Sequence, residues 1–122
     1  MNAPQPDAAA IEARLMRLRE QFAARAATHV AMLDALAGRL ADEGAPADRE
    51  EVRRIAHSLA GAGGTFGFAV ISKSAAGLED FIAADPDDAA LAARIRGTVA
   101  AIRDNLAADG LAAGEPAEGD GA

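Results

Sequence analysis

The residues of this chain best suited to chemistry fall in one segment, Glu50-Glu51-Val52-Arg53-Arg54-Ile55-Ala56-His57-Ser58-Leu59-Ala60-Gly61-Ala62-Gly63-Gly64. Set on a helix at about 100° per residue, Ile55, Ala56 and Leu59 lie within about 60° of Val52 and make a core stripe. His57 falls about 140° from Val52, on the solvent side. Glu50, Arg53 and Arg54 flank it one turn before, and Ala60, Gly61 and Gly64 one and two turns after. Each glycine inside a helix costs about 0.8–1.0 kcal/mol relative to alanine. Glycines at this density, having no side chain to pack, leave bare backbone that another protein can approach. The surface is flat, with one imidazole standing on it.

An imidazole is the one side chain that is ordinarily part neutral near pH 7, and its free nitrogen is then a nucleophile. No serine is placed to complete a triad with His57, and the chain has no cysteine. The nearby acids show no pairing suited to hydrolysis. No metal-ligand spacing such as H-E-x-x-H occurs, and the second histidine, His29, lies on another helix at the edge of an apolar stripe. A lone nucleophile on a docking face points to covalent group carriage, with the partner supplying the rest of the machinery.

The elements that must position this face are helices. Alanine dominates the 122 residues, β-branched residues are few, and no stretch alternates with period two. A helical lead-in opens near Asp7 and carries Ile11, Leu15 and Leu18, and whether it breaks near Phe22–Arg25 is left open by the residues. Phe22, Ala26, Val30, Leu33, Ala37 and Leu40 then mark a helix ending near Glu43, before Gly44-Ala45-Pro46. Asp48 with Glu51 reads as the cap of the next helix, a start one or two residues earlier being left open by the residues. A further helix is expected from about Phe66 to Ala84, with Val70, Ile71, Leu78, Phe81 and Ile82 inward. Asp85-Pro86-Asp87-Asp88 opens the last, which carries Leu91, Ile95, Val99, Ile102 and Leu106 and stops at Asp109-Gly110. Short connections predict an all-α, antiparallel up-down four-helix bundle with an additional N-terminal helical segment over residues 7–110. Residues 1–6 and 111–122 are expected to be disordered tails.

A net charge of −7 argues against nucleic acid and against an anionic membrane surface. The N-terminus has neither the basic start nor the apolar stretch of a signal peptide, and no run is long enough to span a membrane. A cytoplasmic protein is expected, a monomer without a metal or cofactor of its own being the simplest reading, with self-association left open by the residues.

Ala56-His57-Ser58-Leu59-Ala60-Gly61, then Gly64 and Gly67, then Leu78-Glu79, resembles the histidine-containing phosphotransfer (HPt) domain of bacterial phosphorelays. The resemblance covers about residues 7–110. It implies that His57 attacks, through Nε2, the aspartyl phosphate of a response-regulator receiver domain and passes the group to another receiver. It further implies response-regulator receivers or a hybrid histidine kinase as partners, with Mg2+ held by the receiver. Many family members carry lysine three residues after the histidine, where this chain has Ala60. Either that charge is dispensable or another cation replaces it; Arg53 and Lys73, the only lysine, are the candidates, Lys73 returning to about the level of His57. Arg54, Ser58, Ala60, Gly61, Gly64 and Phe68 complete the expected docking face.

Plainer readings compete. Arg53 and Arg54 suit a solvated face or pairing with Glu50 and Glu51. His29 suits a core edge, and the four phenylalanines suit the core. The chief alternative function is a docking module that inhibits or scaffolds a two-component pathway without transfer. A purely structural bundle would put bulky apolar residues where Ala60, Gly61 and Gly64 stand.

Overall fold

Asp7 caps the first helix, its carboxylate accepting from the Ala10 amide at 2.7 Å. From there α1 runs unbroken from Ala8 to Glu43 in the computed structural model, which describes residues 7–109. The expected tails at 1–6 and 111–122 lie outside the described residues. With neither glycine nor proline between Ala8 and Ala37, nothing interrupts the helix at Phe22–Arg25. Lead-in and second segment are therefore one helix of 36 residues, about 54 Å long.

The second helix, α2, spans Pro46–Thr65 and opens two residues before Asp48. Proline at its first position is pre-set for the helix, and Asp48, at the third, reaches back to accept from the Ala45 amide at 3.0 Å. Its other oxygen accepts from Arg39 of α1 at 2.8 Å. A turn follows in which the Phe66 amide donates to Ala62 O and the Phe68 amide to Gly63 O, with Gly67 in the left-handed region at φ +82°. That turn delays α3 to Ala69–Ala83, three residues later than the sequence suggested. Phe68 drops into the core at 1% exposure, whereas Val70, expected inward, is 49% exposed. The new start sets Ile71, Ala75 and Leu78 as the inward stripe, and Val70 lies about 100° off Ile71.

The last helix, α4, spans Asp88–Ala108. Its cap is Asp87, which accepts from the Ala90 amide at 2.7 Å; Asp85 instead takes a left-handed turn at φ 59°, and Pro86 lies outside the helix. The fold is the expected four-helix bundle. α1 packs on α2 and α4, and α3 packs on α2 and α4, so neighbours in sequence are neighbours in space. Phe22, Leu33, Ile55, Leu59, Ile71, Leu78, Leu91, Ile95 and Ile102 fill the middle. Arg19 ties the far end: it donates to Phe66 O at 2.6 Å, lies 4.3 Å over the Phe68 ring and pairs with Asp109 at 3.7 Å. Among the described residues no helix is long and apolar enough to cross a membrane.

Candidate functional site

The apolar stripe of α2 (Val52, Ile55, Ala56, Leu59) is fully buried, which turns His57 outward with 74% of its side chain exposed. One contact from another helix reaches it. Glu79 of α3 brings Oε2 to 2.9 Å from His57 Nδ1. An ionised carboxylate only accepts, so Nδ1 carries the hydrogen and donates it to Glu79. In the neutral ring this bond selects the Nδ1–H tautomer and leaves the lone pair on Nε2.

The register that makes this contact comes from the α2–α3 crossing. Ser72 Oγ donates to Ala60 O at 2.7 Å, two turns along α3 from Glu79. Gly63 is buried there, and a Cβ on it would stand 3.1 Å from the Ser72 backbone nitrogen. Gly63 is thus a close-packing residue of the interior, unlike the bare-surface role read from the glycine run. Gly61 fits that role: its Cβ position is open, with no atom within 4 Å. Gly64 is exposed as well, and a Cβ there would touch only Ser72 Oγ at 3.4 Å. Ser58 is exposed and Ala60 half-buried on the same side.

The flanking charges are largely spent on each other. Arg53 binds Glu50 through both nitrogens, at 3.2 and 2.5 Å, and Arg54 binds Glu51 in the same way. The bond from Arg53 holds the Glu50 carboxyl below its usual range, and Glu50, with a smaller contribution from Glu79, raises Arg53. Lys73 is exposed and has no ion-pair partner among the described residues. Neighbouring Ser72 in sequence, it stands level with Ala60 to Gly64, one to two turns along from His57. The level assigned to it from the sequence belongs to Glu79. Phe68 does not join the docking face, because the Gly67 turn folds its ring onto Phe22 at 5.1 Å. His29 is half-buried with Nδ1 unpartnered; burial first, then Arg54 and Arg25, lowers its pKa. No three acidic, histidine or cysteine side chains converge as metal ligands among the described residues. A cleft of about 410 Å³ between α1 and α2, lined by Met32, Leu36, Arg39 and Asp48, does not include His57.

Glu79, which the sequence reading held only within the matched string Leu78-Glu79 and gave no role, is the side chain that meets His57. Its signal is arithmetic: residues 57 and 79 lie equally far from position 68, where the turn reverses the chain. An exposed imidazole with one nitrogen anchored and the other free, on a stretch of bare backbone, can take up a group and present it to a partner. No curated protein and no solved structure is significantly similar to the chain. The sequence model of the Hpt domain matches residues 17–107, from the third turn of α1 to the last turn of α4. Fold, exposed histidine and family match agree, and the chain belongs to the Hpt-domain family, the histidine phosphotransfer modules of two-component systems.

Proposed function

We propose that His57 accepts a phosphoryl group from the aspartyl phosphate of a receiver domain and passes it to another receiver. Nε2 attacks phosphorus, an N–P bond forms, and the P–O bond to the aspartate breaks, its electron pair leaving as carboxylate. The ring becomes a phosphoimidazolium whose Nδ1–H⁺ faces the Glu79 carboxylate, so no proton has to leave during transfer. The return step reverses these bonds. The observation that carries the reading is the exposed His57 with Nδ1 bound to Glu79 on a surface cleared by Gly61 and Gly64. Mg2+ and the acidic pocket belong to the receiver, and a cytoplasmic setting follows from that partner class.

Of the two cations proposed to replace the family lysine, Lys73 is the better placed, because Arg53 must leave Glu50 to reach a phosphoryl group. Lys73→Ala therefore slows transfer more than Arg53→Ala does, measured as loading rate from one phosphorylated receiver. Equal rates for both variants and the parent would end the idea of a substitute cation. The function itself is tested by transfer from a panel of phosphorylated receivers. Acid-labile, alkali-stable label on the parent and none on His57→Ala is expected. Tight receiver binding without label would replace the relay by the inhibitory docking module.

A further inference from the structure

The first three turns of α1 project beyond the bundle. Arg19 marks its edge, meeting both the α2–α3 turn at Phe66 and the end of α4 at Asp109. Residues 8–17 continue past that edge for about 15 Å, every one of them exposed. Ile11 is 47% and Leu15 53% exposed, and Leu18 is half-buried. On the helix wheel these three fall in line with Phe22, Leu33 and Leu40, so the seam that α1 buries in the core runs on uncovered. A stretch this short is marginal as a lone helix in water, and an apolar stripe on it invites a partner.

We infer that a second copy of this chain covers the stripe, through antiparallel pairing of the two α1 extensions around a two-fold axis near Ala13. Ile11 then faces Leu15 of the second copy, and Leu18 faces Ala8, giving a narrow two-helix seam. Charge selects the direction. Parallel pairing would set Asp7 against Glu12, like on like. Antiparallel pairing brings Asp7 to Arg14 and leaves like pairs only at the axis, Arg19 being engaged within its own bundle. The chain's own residues 110–122 are a poorer cover, with Leu111 their single bulky apolar residue among four glycines and a proline. The seam is smaller than the roughly 1,200 Å² of standard stable interfaces, so the dimer is weak and reversible.

Sedimentation of the full chain from about 1 µM to about 1 mM should show mass rising from monomer to dimer. Ile11→Glu with Leu15→Glu should stay monomeric throughout; Ile11→Ala with Leu15→Ala, which keeps helix propensity, serves as the second variant should the first misfold. Since the chain has no cysteine, Ile11→Cys and Leu15→Cys chains can be mixed under a mild oxidant. The mixed 11–15 disulfide is expected to dominate. A parent that remains monomeric at all concentrations, a dimer that survives both double variants, or crosslinks of 11 to 11 and 15 to 15 would each overturn the proposal. Transfer to His57 plays no part in these readouts, so they stand or fall apart from the proposed relay.

Discussion

His57 and Glu79 divide one task between two helices. The helix wheel of α2 alone turns the imidazole to solvent, and that much is legible in Val52, Ile55, Ala56 and Leu59. Which ring nitrogen stays free is not legible there, because it depends on a carboxylate 22 residues away. Hydrogen bonds to a charged group are worth about 1.5–3 kcal/mol, and exposure puts this one at the lower end. Glu79→Ala should therefore slow loading of His57 about tenfold. Nitrogen NMR shifts of the imidazole should show Nε2–H gaining population at the same time. Unchanged shifts in Glu79→Ala would mean that the contact does not set the tautomer in solution.

At the scale of elements, the glycines of the α2–α3 hairpin separate into three kinds that look alike in sequence. Gly63 lets two helix backbones meet, Gly67 supplies a left-handed turn, and Gly61 leaves a surface bare. Two opposite outcomes follow. Gly63→Ala pushes a methyl to 3.1 Å from the Ser72 nitrogen, backbone that moves only with α3, and should cost about 1–3 kcal/mol by denaturant unfolding. Gly61→Ala meets nothing and improves helix propensity, so the chain should gain about 0.8–1 kcal/mol. The same variant should nonetheless load more slowly from a receiver, because the methyl stands on the docking face. A Gly61→Ala chain that is stabilised and transfers at the parental rate would remove Gly61 from that face. Sequence periodicity supplied the stripes of α1, α2 and α4 almost residue for residue, since a buried face must repeat at the helical period. It failed at Phe68 and Val70, where a turn resets the phase between helices and no periodicity reports the reset.

Across the whole molecule the bundle is stapled at both ends by arginines whose partners lie on other elements. Arg19 holds the α2–α3 turn and α4; at the opposite end Arg49 binds Asp88, the Pro86 carbonyl and Asp85, while Arg39 binds Asp48. None of these pairings could be read from local spacing. Asp48 gives its end a pH signature: the bond from Arg39, then that from the Ala45 amide, holds its carboxyl below the ordinary range. A depressed carboxylate contributes stability above its unfolded pKa, and the contribution is lost as pH falls through the lowered folded value. Unfolding curves of the parent and of Asp48→Asn should therefore differ above about pH 4 and converge below it. A constant difference between the two across that range would assign the effect to packing instead of charge.

The single bare face around His57 also has a kinetic meaning. One imidazole on one surface admits one receiver at a time, so a donor and an acceptor in the proposed relay compete for the same ground. Delivery must then be double-displacement, with the loaded chain released between its two partners as a free messenger. Flux through such a carrier peaks at intermediate acceptor concentration, and an excess of unloaded acceptor throttles the pathway it serves.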